Sequence, residues 1–396
     1  MPNNKPETSD KASSMTSPEP FSGDISLDVF LREYWQKKPL LIRNAFPDLI
    51  SPITAEELAG LACEEDVNAR IVIEKDGSSP WEVRYGPFDE DSFSQLPESH
   101  WTLLVNDVEK YIPETKALFD QFRFIPDWRK DDLMISYAED GGSVGPHLDA
   151  YDVFLIQIEG QRNWKISHQH CNRFIDDIEL KILSEFNADE DWLLDPGDML
   201  YLPPNLAHYG IAKGPCMTAS VGFRAPSARA MVSEFAEFIA NQCPETLRYS
   251  DPDIQHQSNP AEIGSMALSN IKDMLSQQLM IDDSQLAQWF GEYMTDARSS
   301  NQLSEVNSNI SDFENLKKQL LAQTDIQQSP FSRFLFTRTE NGALLFVDGQ
   351  SYEISTLLAE SICKNQSIDP DNIFKIALSE QDKNTLLDLY NRGCIS

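Results

Sequence analysis

His147-Leu148-Asp149 and, 61 positions downstream (208 − 147), His208 are the residues of this 396-residue chain whose types could do chemistry together. Two imidazoles and one carboxylate on one side of a metal ion leave its other side open, a donor set that suits non-haem Fe(II) handling oxygen. On an extended strand successive side chains alternate between faces, so His147 and Asp149 would share a face with Leu148 packed behind them. His-x-Asp alone is a short pattern, and a solitary His208 is more often a half-buried histidine with a hydrogen-bond partner. The setting favours the metal: the chain has six histidines, and Gly141, Gly142 and Gly145 ahead of His147 permit close backbone approach.

Elements that could position these groups follow from the surrounding pattern. Tyr151 to Ile158 reads as a strand, Glu159 to Asn163 as a turn, and Trp164 to Ser167 as the returning strand. That hairpin would put Arg162 where its guanidinium fork could hold the remote carboxylate of a dicarboxylate co-substrate; without the histidines, a solvated turn arginine is the simpler reading. Strand patterns also occur at Leu40 to Ile42, Arg70 to Ile73, Trp81 to Tyr85, Trp101 to Val105 and Leu133 to Tyr137. Many short strands with Gly and Pro turns predict a jelly-roll, cupin-like barrel within an α+β chain, and such a barrel lets inward side chains from distant strands share one metal.

Further motifs now gain meaning together. Gly141-Gly-Ser-Val-Gly-Pro-His-Leu-Asp149 followed by Tyr151-Asp-Val-Phe154, with Tyr34-Trp-Gln-Lys-Lys-Pro-Leu-Leu-Ile42 and Asp195-Pro-Gly-Asp-Met-Leu-Tyr-Leu-Pro-Pro204, resembles the JmjC-type 2-oxoglutarate oxygenases, and within them the bacterial ribosomal oxygenases that hydroxylate arginine. The resemblance implies a double-stranded β-helix, a helical region that joins two subunits into a homodimer, and a winged-helix-like C-terminal domain. It implies Fe(II) bound by His147, Asp149 and His208, with Arg162 and the strand residue Ser220 on 2-oxoglutarate, and O2 as oxidant. The implied substrate is an arginine β carbon of large-subunit ribosomal protein sixteen. Asp140 is the carboxylate expected near the guanidinium, with Tyr137 and Tyr151 beside it; the bland alternatives are a turn aspartate and core aromatics. Other readings are a JmjC oxygenase for histidine or methyl-lysine, a non-catalytic ribosome-binding cupin module, and a non-oxidative metal cupin such as an isomerase.

Composition is compatible with that reading. Lys+Arg number 32 against 64 Asp+Glu, a formal net charge of −32, so a basic protein is a better partner than nucleic acid. No apolar stretch approaches a membrane span, the first residues lack a signal-peptide core, and six scattered cysteines without CxxC read as free thiols, which together predict a cytoplasmic location. His168-Gln-His-Cys171 offers a rival soft-metal cluster but lacks partner ligands at finger spacing.

The expected divisions are a disordered tail over 1–22, the catalytic barrel over 23–226, a helical dimerisation domain over 227–326 and a winged-helix-like domain over 327–396. Helical stripes carry the third of these, notably Leu286, Trp289, Phe290, Tyr293 and Met294 after the capping run Asp282-Asp-Ser284. Asn341-Gly342 and Asp348-Gly349 signal tight turns in the last.

Overall fold

A computed structural model describes residues 25–75, 81–169, 173–296, 310–365 and 367–396. The expected tail over 1–22, and His170 and Cys171 of the rival cluster, lie outside the described residues. The chain divides into two compact units, one ending at Arg224 and the other beginning at Ala225.

In the first unit the strands are β1 (Leu40–Ile42), β2 (Ala69–Glu74), β3 (Trp81–Tyr85), β4 (Trp101–Val105), β5 (Lys130–Ala138), β6 (Val153–Ser167), β7 (Glu190–Leu194), β8 (Met199–Leu202) and β9 (Ala207–Phe223). They form one antiparallel sheet in the order β1-β8-β6-β9-β5-β4-β2-β3, with β7 pairing β6. This is the jelly-roll arrangement that the strand pattern predicts. The helices α1 (Leu27–Glu33), α2 (Ala55–Leu61), α3 (Glu90–Ser94), α4 (Val108–Tyr111) and α5 (Pro113–Asp120) punctuate it.

Strand alternation sorts the side chains. Ile71 and Ile73 of β2, Leu103 and Val105 of β4, and Leu133 and Ile135 of β5 join Phe30, Leu58, Phe154, Tyr201 and Phe223 in one hydrophobic core. Their neighbours at odd offsets, among them Arg70, Thr102, Asp132 and Ser136, turn to the opposite face and line a cavity.

One expectation fails here in an informative way. Glu159 to Asn163 is no turn: β6 runs unbroken through it, paired with β9, and the register shifts between Gln157, Glu159 and Gln161 mark a bulge. Gly160 sits at φ +61°, and a Cβ there would lie 2.2 Å from Pro215 O. The glycine that resembled a turn signal is thus what lets a long strand bulge.

The second unit holds α6 (Ala228–Gln242), α7 (Ser265–Leu279), α8 (Asp283–Thr295) and α9 (Phe313–Leu321). Asp282 caps α8 in a capping box with Gln285, as the run Asp282-Asp-Ser284 predicts. After β10 (Ile326–Gln327) come the meander β11 (Phe334–Thr339), β12 (Gly342–Val347) and β13 (Gln350–Ile354), then α10 (Thr356–Lys364), β14 (Ser367–Ile368), α11 (Pro370–Phe374) and α12 (Glu380–Asn391). Leu316, Leu345, Leu358, Ile362, Leu386 and Leu389 fill its core. No helix among the described residues is long and apolar enough to cross a membrane.

Candidate metal centre

His147 lies in the loop between β5 and β6, not on an extended strand as its spacing from Asp149 predicts. It is held instead by an isolated antiparallel bridge to His208 at the start of β9. The His147 amide donates to His208 O at 3.0 Å, the His208 amide donates back to His147 O at 3.1 Å, and Asn205 N donates to Asp149 O at 2.7 Å. Two residues far apart in the chain are therefore backbone partners, and their ring centroids are 4.2 Å apart.

The hydrogen bonds also set the tautomers. His147 Nδ1 lies 2.9 Å from Gly145 O and His208 Nδ1 lies 2.9 Å from Leu206 O. A carbonyl only accepts, so each Nδ1 carries the hydrogen and each Nε2 keeps a lone pair. Those lone pairs meet Asp149 Oδ2, at 3.8 Å from His147 Nε2 and 3.5 Å from His208 Nε2. The three ligand atoms lie within 4.8 Å of one another. Burial, then repulsion from His147, pushes the His208 pKa down to about 4, which keeps the ring neutral and able to donate to a metal near pH 7. This donor set fits Fe(II).

Behind the loop, Asp152 is fully buried and anchors the start of β6. It accepts from Tyr201 Oη at 2.6 Å, Gln36 Nε2 at 2.9 Å and Arg129 Nη2 at 3.1 Å. The network ties the stretch after Asp149 to the segment following α1, to the residue before β5 and to β8, so the ligand loop is backed by core and not by solvent.

The triad opens on a cavity of about 380 Å³. Lining it is Arg162, 5% exposed, whose Nη1 donates to Ser136 Oγ at 3.3 Å while its Nε and Nη2 have no partner among the described residues. A buried guanidinium with idle donors fits an anion such as the remote carboxylate of 2-oxoglutarate. Arg162 reaches this place from within β6, in register with Ala212 and Leu194, and not from beyond a hairpin. Ser220 of β9 also lines the cavity.

Two expected substrate residues are not on its wall. Tyr137 falls on the core face of β5, packs against Trp101 and donates to Glu139 Oε1 at 2.6 Å. Asp140 is exposed and accepts at 2.8 Å from the amide of Gly214 on β9, so its carboxylate bonds to a distant strand and not within its own turn. Tyr151 does line the cavity, and so does Asp132, which the sequence reading missed. Asp132 accepts from Asn106 Nδ2 at 2.9 Å, and burial raises its pKa to about 6. Extending the strand at Leu133 by one residue would have exposed the alternation Asp132, Met134, Ser136 against Leu133, Ile135, Tyr137. The Tyr151 pKa is raised by burial and then by Asp149 and Asp132, so it stays a neutral phenol between the two carboxylates. His168 of the rival cluster is exposed and bonded through Nε2 to Glu190 Oε1 at 2.6 Å.

Comparisons with known proteins agree with this geometry. The JmjC domain family matches residues 117–231, and the ROXA-like winged helix family matches 275–395. The Ribosomal protein uL16 3-hydroxylase of Escherichia coli is 41% identical over 274 residues, covering 68% of this chain and 71% of that protein. A Probable ribosomal oxygenase of Haemophilus influenzae is 32% identical over 382 residues and 92% of both chains. The solved structure of the Escherichia coli ribosomal oxygenase YcfD in complex with cobalt and 2-oxoglutarate superposes with a TM-score of 0.81 at 33% identity, covering 94% of this chain and 98% of that one. By these matches over most of its length, together with its His-Asp-His site on a jelly-roll sheet, the chain belongs to the JmjC-domain ribosomal oxygenases.

Proposed function

We propose that this protein is an Fe(II)- and 2-oxoglutarate-dependent hydroxylase that adds one oxygen atom to the β carbon of an arginine in the large-subunit ribosomal protein uL16. The observation that carries the reading is a single cavity in which a metal-donor triad shares the wall with an unsatisfied cation, Arg162, and a carboxylate, Asp132. A bound iron supplies the chemistry of O2 activation: 2-oxoglutarate, O2 and substrate C–H become succinate, CO2 and C–OH, with one oxygen atom in succinate and one in the alcohol.

The residues divide the rest of the work. His147, Asp149 and His208 hold the metal on one side and leave the other open. Arg162 binds the remote carboxylate of 2-oxoglutarate, and Ser220, on the same wall, adds a hydroxyl contact. On β5, Asp132 lies four residues from Ser136, about 13 Å along the strand at ~3.3 Å per residue. One end of the cavity thus suits an anion and the other a cation. We assign the guanidinium of the substrate arginine to Asp132, with the neutral Tyr151 phenol between it and Asp149, in place of Asp140 and Tyr137. Unlike a neutral histidine, a guanidinium matches a carboxylate bidentately.

The acidic chain, at −32, suits a basic ribosomal protein and disfavours direct nucleic acid contact; a ribosomal substrate implies a cytoplasmic enzyme. We assign residues 23–226 to catalysis, 227–326 to dimerisation and 327–396 to a winged-helix-like domain. Support for the homodimer is α7, which has no buried residue and exposes Met266, Leu268, Ile271, Leu275 and Leu279. Light scattering of Ile271→Asp/Leu275→Asp should report a monomer where the wild type is a dimer; a monomeric wild type would end this assignment.

The deciding experiment incubates the protein with Fe(II), 2-oxoglutarate, ascorbate and ribosomal proteins from a strain lacking the gene. Intact masses should show one added oxygen on uL16 alone, mapping to arginine, and only with 2-oxoglutarate. Oxygen on another residue type, or none on any protein, would overturn the reading.

A further inference from the structure

We infer that Trp164 and Thr102 complete the seat of the co-substrate's remote carboxylate, so that Arg162 does not hold it alone. The inference rests on the proposed function and adds two binding residues to it. Trp164 is 5% exposed and its Nε1 has no acceptor among the described residues; Thr102 is 1% exposed and its Oγ1 has no partner either. Both line the cavity. A buried polar group without a partner destabilises the fold, and a buried indole N–H normally finds an acceptor. Here two such groups and the two idle donor atoms of Arg162 belong to residues that line one cavity.

Strand geometry brings them together. Trp164 follows Arg162 by two residues on β6, so the two share a face, and the Arg162 guanidinium carbon is 5.9 Å from the Trp164 ring centroid. Across the β6–β9 pair Trp164 stands opposite Gly210, where a Cβ would come within 2.7 Å of the indole. That glycine leaves the ring its place against β9. The same ring lies 5.9 Å from His208, so the indole spans from the cation to a metal ligand. Thr102 pairs with Ala138 on β5, two residues from Ser136, the residue that accepts from Arg162 Nη1.

The chemistry of the four idle donors is one-sided. Arg162 Nε and Nη2, Trp164 Nε1 and Thr102 Oγ1 can all donate, and an ionised carboxylate offers about four lone-pair sites and no donor. A single cation matches a single carboxylate in charge. The structure therefore assigns Trp164 as an N–H donor, beyond its part in packing, and Thr102 as the hydroxyl that completes the set.

Calorimetric titration of 2-oxoglutarate into the Mn(II)-loaded full chain under anaerobic conditions tests this. Trp164→Phe keeps an aromatic ring and removes the N–H, and Thr102→Val keeps the shape and removes the hydroxyl. Each should raise the Kd for 2-oxoglutarate about tenfold or more, the loss expected of one hydrogen bond to a charged group. Mn(II) affinity and Tm should match wild type, and Thr102→Ser should restore the Kd. A Kd within twofold of wild type in both variants overturns the inference while leaving the hydroxylase reading intact. Lost affinity that comes with an equal loss of Mn(II) binding or a fallen Tm also overturns it, because packing alone would explain it. If the wild type itself does not bind 2-oxoglutarate, the proposed function fails with it.

Discussion

The two faces of β5 differ in what they ask of the protein. On one face Leu133 and Ile135 are fully buried in a core shared with Ile71, Leu103 and Phe154. On the other, Asp132, Met134 and Ser136 line the cavity, where Arg162, Trp164 and Thr102 keep polar atoms without partners among the described residues. The first face is satisfied by burial alone. The second tolerates groups that only a ligand can satisfy, which is how one strand serves stability and chemistry at once.

Substitutions at the cavity and in the core should separate these roles. Asp149→Ala removes the only carboxylate of the triad, and turnover should fall below detection while circular dichroism and Tm stay near wild type; retained activity would refute the ligand assignment. Asp132→Asn should lower kcat/KM for a uL16 peptide about 10- to 100-fold through the lost charge-assisted bonds to guanidinium. Its Kd for 2-oxoglutarate should not change, and a normal kcat/KM would return the substrate role to Asp140. On the core face Ile135→Ala should cost about 2–5 kcal/mol in denaturant unfolding. Its remaining folded protein should keep a normal KM for 2-oxoglutarate, and a raised KM would blur the distinction between faces.

The smallest effect concerns Glu109 of α4, which accepts from Leu133 N at 3.0 Å. Burial, with Asp107 and Asp132 adding, raises its pKa from 4.5 to about 8. The folded state therefore prefers the protonated form: stabilisation is complete below about pH 4.5 and is lost as pH rises to about 8. Glu109→Gln keeps an acceptor for Leu133 without the charge. Its Tm relative to wild type should climb between pH 5 and pH 8, by the equivalent of roughly 1 to 3 kcal/mol. A difference independent of pH would show that the carboxyl ionises freely in the fold.

Much of this was legible in residue order. His147, Asp149 and His208 stood out by type, β1 to β5 as short strand-like runs between turns, and the cap of α8 by its Asp run. What misled was local. Gly160 in Glu159 to Asn163 has turn chemistry, yet the pairing of β6 with β9 overrides it and makes a bulge. His147 and Asp149 looked like strand neighbours, yet the bridge to His208 places them in a loop. Tyr137 is one residue from Ser136, and a one-residue step along β5 reverses the face a side chain occupies, while Asp140 falls beyond the end of that strand at Ala138.

The sequence by itself determined the donor set, the strand periods and the acidic balance, because residue type and alternation are local properties. Only the tertiary structure decided that Asp132 and not Asp140 shares the cavity, and that Trp164, Thr102 and Arg162 are left with idle donors. Those facts depend on which backbone pairs with which, and hydrogen-bond satisfaction is fixed only when distant strands meet.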